Sequence, residues 1–153
     1  MVEASAAELR YAILAAQREG NRQLALQLRP LDITPSQAEV ITVLGEHGPL
    51  TLKGLGELLV CETGSPSRLV DSLVKRGIAH RADNPMDRRE VLIQLTKEGR
   101  RLRPRIEQAE AAIHDALDEA FASDVRTEMV QRIHAFLSES NSGAALARRF
   151  PRR

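Results

Sequence analysis

The chain has no tryptophan, one tyrosine and three phenylalanines, so aromatic residues make up only 3% of its 153 positions. Its core must be built from Leu, Val, Ile and Ala. A single cysteine, Cys61, excludes an intrachain disulfide framework and fits a reducing cytoplasm. Apolar runs never exceed a few residues, and the first residues reach Glu3 and Glu8 without a cationic, then apolar, then small-residue succession. Neither a membrane span nor a secretory signal is expected. The histidines His47, His80, His114 and His134 are scattered, with no Cys-x-x-Cys and no pair at i, i+4, which speaks against a metal site. His114 near Glu110 and Asp118 on one helix is at most a partial one. With no glycine-rich phosphate loop, no Gly-x-Ser-x-Gly and no zinc-protease motif, neither an enzyme nor a cofactor is expected.

What is present is an uneven charge distribution hidden in a net charge of +1. Residues 1–64 carry 5 Lys and Arg against 8 Asp and Glu, residues 65–105 carry 11 against 5, and residues 106–153 carry 6 against 8. A +6 segment between two acidic ones places the basic surface in one quarter of the molecule, where a polyanion would be met.

Helical spacing of Leu9, Ile13, Ala16, Leu24 and Leu28 predicts a first helix from about Ala4 to Arg29, despite Gly20, ended by Pro30. Thr34-Pro35-Ser36-Gln37 reads as an N-cap, a first-turn proline and a capping-box glutamine, and Val40, Val43 and Leu44 follow on one face. His47-Gly48-Pro49 stops that helix, with Gly48 free to take a left-handed cap. Thr51 caps a third helix whose apolar face is Leu52, Leu55, Leu58 and Leu59, and Cys61-Glu62-Thr63-Gly64 forms a turn. Two short helices joined by a glycine-containing turn read as a helix-turn-helix. Ser65 caps the next helix with Pro66 at its first position, Leu69, Val70, Leu73 and Val74 pointing inward, and Gly77 ending it.

Beyond Gly77, Ile78 to Arg81 and Val91 to Leu95 read as two strands around the turn-forming Asp83-Asn84-Pro85-Met86-Asp87. Thr96 caps a helix in which Pro104 predicts a kink or restart. Ile106, Ala109, Ile113, Leu117 and Phe121 continue it. After Ser123 as cap, Val125, Met129, Ile133, Phe136 and Leu137 form a last amphipathic helix, and from Ser138 the chain is Ser/Gly/Ala-rich and then basic.

The helix after Ser65 suits the DNA major groove. Ser65, Pro66, Ser67, Arg68 and Ser72 lie on its first turns or outward face, where small residues allow close approach and Arg68 can take a guanine edge or a phosphate. Thr51 and Lys75 are candidate phosphate contacts. At the hairpin tip, Arg88 and Arg89 suit a narrow minor groove, with Asp87 expected to pair with Arg89 and aim its guanidinium.

The run Asp87-Arg88-Arg89-Glu90-Val91-Leu92-Ile93-Gln94-Leu95-Thr96-Lys97-Glu98-Gly99 resembles the wing signature of the MarR family, an acidic-x-Arg followed by apolar residues and Leu-Thr-x-x-Gly. Residues Arg68 to Gly77 are similar to that family's recognition helix, and Leu31 to Leu50 to its second helix. Pro66 and Pro104 depart from the pattern. The resemblance implies a mainly α fold with a small β-hairpin wing: a winged helix-turn-helix at 34–99, flanked by dimerisation helices at 1–33 and 100–138, with a basic tail at 139–153. It further implies a cytoplasmic homodimer on a pseudo-palindromic operator in double-stranded DNA, a repressor released by a small-molecule inducer.

Two alternatives stay open, a thiol-responsive repressor using Cys61 and a winged helix that holds another protein. Repulsion by Glu62 would disfavour a Cys61 thiolate, while the nearby helix N-terminus would favour one. The resemblance places small inducers between the dimerisation helices and the winged lobe, making Leu14, Arg18 and His47 candidate pocket residues. The Arg148 to Arg153 tail, with one aromatic in Phe150, is expected to be solvated, with reach to DNA or packing on the dimer as the other options.

Overall fold

The computed structural model describes residues 1–61 and 65–151. The predicted turn at Glu62, Thr63 and Gly64, and the terminal Arg152 and Arg153, lie outside the described residues. Helix α1 spans Ala6–Leu28, opened by Ser5, whose hydroxyl accepts the Glu8 amide at 3.1 Å. Pro30 sits in a 3-10 turn, Arg29–Leu31, closed by Asp32 at φ 53°. Helix α2, Pro35–His47, carries the predicted capping box: Thr34 Oγ1 accepts the Gln37 amide at 3.2 Å, and Gln37 Oε1 accepts the Thr34 amide at 3.0 Å. It ends at Gly48, whose φ of 72° favours glycine, although its ψ of −159° is not the left-handed cap foreseen.

A short strand β1, Leu50–Thr51, follows, and then α3, Leu52–Gly56. Thr51 serves both, pairing in the sheet while its hydroxyl accepts the Gly54 amide at 3.0 Å. The expected longer α3 is corrected: Leu55 is buried inside it, Leu58 and Leu59 are buried beyond its end, and Leu52 is exposed. Gly54 and Gly56 weaken a helix here by roughly 1 kcal/mol each. Past Gly56, the Glu39 carboxylate accepts the amides of Val60 and Cys61, a charge-assisted alternative to helical bonding.

Helix α4 covers Pro66–Lys75, and strands β2, Ala79–Asp83, and β3, Val91–Leu95, form the wing. The sheet has three antiparallel strands in the order β1-β3-β2, with Leu50 opposite Ile93 and Ala79 opposite Leu95. Helix α5 runs unbroken over Lys97–Ala120, so no restart occurs at Pro104. Proline there removes one backbone bond, whereas burial of Leu102, Ile106 and Ala109 against the rest of the core keeps the helix whole.

Helix α6 is Ser123–Phe136 with Ala122 at the N-cap position, so Ser123 is the first helical residue rather than the cap. The tail expected to be solvated folds into a seventh helix, α7, Asn141–Arg149, in which Gly143 and Ala145 are buried. The architecture is thus mainly α, a winged helix-turn-helix with helices before and after it. Its core joins α2, α4 and the sheet to the end of α1 and the first half of α5, and every fully buried side chain among the described residues is apolar.

Candidate nucleic-acid interface

On α4 the buried side is Val70 and Leu73, and the opposite side exposes Arg68, Asp71 and Lys75. Ser65 stands at the N-cap position in extended backbone, but its side chain makes no capping bond; its carbonyl takes the Arg68 amide at 3.1 Å instead. Pro66 fills the first helical position, where its missing N–H costs nothing, and Ser67 is half-buried beside it. Ser72 departs from its expected outward role: its hydroxyl donates to the Leu69 carbonyl at 2.7 Å and accepts from Gln37 Nε2 at 3.0 Å, tying α4 to α2.

The hairpin tip is shaped by two side chains turned on their own backbone. Asn84 Oδ1 accepts the Met86 amide and Asp87 Oδ1 the Arg89 amide, each at 2.9 Å. Asp87 therefore shapes the loop and does not pair with the Arg89 guanidinium, because the amide two residues on is its closest donor. Among the described residues no hydrogen bond or ion pair engages the guanidinium groups of Arg68, Arg88 and Arg89 or the Lys75 ammonium, while Arg81 pairs with Asp71 across the α4–β2 junction. Arg68, Arg88 and Arg89 are thus exposed and unengaged. Between α3, α4 and the wing lies a cleft of about 360 Å³ lined by Thr51, Lys53, Ser67, Arg81 and Glu90.

The wing is locked to α4 at its base. Thr96 Oγ1 donates to the Gly77 carbonyl at 2.6 Å and accepts the Gly99 amide at 3.1 Å, and the Thr96 amide reaches the Ile78 carbonyl at 3.0 Å. A Cβ at Gly99 would lie well under 3.0 Å from the Ile78 carbonyl oxygen, closer than a methyl can approach backbone, so only glycine fits there. This is the physical content of the Leu95-Thr96-x-x-Gly99 pattern. Arg76 in turn donates to the carbonyls of Asp32 and Leu31, anchoring the end of α4 beneath α1. Asp71, Arg76 and Arg81, and the reach of Gln37 to Ser72, were not singled out from the sequence; each joins one element to another.

Cys61 is half-buried, and burial first, then hydrogen bonding and charge from Glu39, pushes its thiol up to about 12. At neutral pH it is a protonated thiol rather than a nucleophile. The carboxylate that disfavours the thiolate is Glu39 of α2; Glu62, expected to do so, lies outside the described residues. Leu14 and Arg18 are exposed on α1 and His47 is exposed at the end of α2. None of the three lines the clefts beside α5. One of those clefts, about 350 Å³, lies between α2, β3 and α5, with Leu44, Gly48, Pro49, Arg100, Arg103 and Glu107 in its wall. The other, about 310 Å³, lies between α1 and α5 and holds His114 and Glu110, whose carboxyl burial raises. No group of three or more metal-ligating side chains occurs among the described residues.

Residues 33–91 match the MarR family model. The Escherichia coli multiple antibiotic resistance protein MarR is 30% identical over 115 residues, covering 75% of this chain and 72% of that protein. The chain belongs to the MarR family. A Bacillus subtilis HTH-type transcriptional regulator, YhbI, is 36% identical over 88 residues, 58% of this chain and 57% of its own length. The chain thus spans less than two thirds of that curated relative. Among solved structures, a mutant of Escherichia coli MarR complexed with operator DNA superposes with a TM-score of 0.76 at 28% identity, covering 84% of this chain and 93% of that one.

Proposed function

We propose that this MarR-family protein is a cytoplasmic, sequence-specific DNA-binding transcriptional regulator that acts as a homodimer, a repressor released by a small-molecule inducer. The observation that carries the reading is its likeness to a MarR protein solved on operator DNA, combined with three exposed, unengaged arginines, one on α4 and two at the hairpin tip. Arg68 on α4 addresses the major groove, and Arg88 and Arg89 on the wing address the minor groove. Ser65, Pro66 and Ser67 permit close approach, and Thr51 and Lys75 meet phosphates.

Dimerisation is supported by the apolar side chains that the single chain leaves bare, Leu9 and Ile13 on α1, Leu117 on α5, and Met129, Ile133 and Phe136 on α6. A second copy is the cover that fits a two-fold operator. The cleft that borders both the wing strand β3 and α5 is where an inducer would couple the two, with Arg100 on the Leu95 carbonyl and Arg103 beside Glu107 in its wall.

Arg89→Ala should weaken operator binding by about 1–3 kcal/mol while leaving the thermal transition in place. Fluorescence anisotropy across a salt series measures it; an unchanged affinity, or an affinity flat with salt, removes the wing from the mechanism. A thermal-shift screen of phenolic acids, metals and oxidants, scored for both stabilisation and loss of DNA binding, identifies the inducer class.

A further inference from the structure

Glu39 gathers three donors from two distant parts of the chain. Its Oε1 accepts the Val60 amide at 2.7 Å and Arg149 Nη1 at 2.6 Å, and its Oε2 accepts the Cys61 amide at 2.7 Å. Both members of the Glu39–Arg149 pair are only 13% exposed, against 30% or more for every arginine in the other ion pairs among the described residues. The neighbouring Arg148 donates to the Glu57 carbonyl at 3.3 Å, so of two consecutive arginines of α7 one reaches the segment after α3 directly and the other reaches it through Glu39 of α2.

The direction of α7 is itself fixed. A Cβ at Gly143 would run into the Leu137 carbonyl, so the chain turns from α6 into α7 through a contact only glycine permits. Helix α7 therefore connects the bare apolar face of α6 with the stretch that leads into the recognition helix.

We propose that Arg149 is a positioning residue for DNA binding: by completing the charge balance of Glu39 it holds that carboxylate on the Val60 and Cys61 amides and so sets where α4 begins. The proposal rests on the DNA-binding reading above. A carboxylate largely withdrawn from water keeps its backbone donors only while a cation compensates it; without Arg149 it turns toward water and releases them. Helix α4 has little local hold of its own at that end, because the Ser65 side chain makes no capping bond. Because α3 packs against the start of α4 at Pro66, loosening the residues just after α3 shifts that start and with it Arg68.

The test uses full-length Arg149→Ala and Arg149→Lys, a DNA duplex enriched by the wild-type protein from a randomised pool, and amide hydrogen exchange. Arg149→Ala should weaken binding about tenfold and speed exchange at Val60 and Cys61 by a similar factor, leaving the salt slope unchanged. Arg149→Lys should recover most of both, and in a Glu39→Gln background Arg149→Ala should add less than roughly twofold, because the two residues act as one unit. Should Arg149→Ala fail to fold, the Lys variant and Glu39→Gln decide by the same exchange readout. A salt slope reduced by about one charge would make Arg149 a direct phosphate contact and overturn the proposal. So would unchanged exchange, or additive effects in the double variant. Wild-type binding with an unaltered Arg149→Ala sinks this role alone, whereas a wild-type protein that enriches no duplex sinks the DNA-binding reading and this role with it.

Discussion

The winged lobe and the flanking helices draw on the same aliphatic residues but dispose of them differently. In the lobe, Val40, Ile41, Val43, Leu55 and Leu73 are wholly buried within one chain. On α6 no residue is buried, and Phe136 is 85% exposed, with Leu9, Tyr11 and Ile13 of α1 also bare. Both sets follow helical periodicity equally well. Periodicity announces an apolar face; what covers it is decided by the rest of the chain in one case and, on the reading proposed here, by a second copy in the other.

Damaging each region in turn tests this division. Leu73→Ala should cost the lobe about 2–5 kcal/mol, read as a lower urea midpoint that barely moves with protein concentration. Ile133→Asp, on the exposed face of α6, should leave the lobe folded and raise the dimer dissociation constant at least about tenfold, seen by sedimentation over a concentration series. If Ile133→Asp stays fully dimeric, the flanking face is not the interface. If it unfolds the lobe, the two regions are not separable.

The smallest effect concerns Cys61. With its thiol held near 12, above the ordinary 9.0, alkylation of the native protein should climb about tenfold per pH unit from 7 to 9 without levelling off. Because the folded value is the raised one, its stabilising contribution is complete below pH 9 and lost as pH rises from there toward 12. A plateau near pH 9 would mean that the turn is open, and would revive thiol sensing.

Much of the fold was legible because its signals are local. The Thr34–Gln37 capping box, the end of α4 before Gly77 and the Thr96 cap each depend on residues within a few positions, and all stand where expected. The expectations that failed did so where another group intervened. Asp87 turned to a backbone amide, Ser72 found Gln37 at 35 residues' separation, α5 did not restart at Pro104, and the basic tail formed α7, with Arg149 seated on Glu39 across 110 residues.

Read from the residues alone, the order of the first six helices, the wing hairpin and the concentration of basic charge between Ser65 and Arg105 were already decided, since caps, periodicity and charge act over one or two turns of chain. Which arginines stay unengaged and which become struts is a different matter. Arg68, Arg88 and Arg89 face solvent, whereas Arg76, Arg81 and Arg149 are spent on Asp32, Asp71 and Glu39. Only tertiary packing settles this, because a guanidinium binds whichever acceptor the fold brings within about 3 Å, and sequence spacing carries no record of that distance.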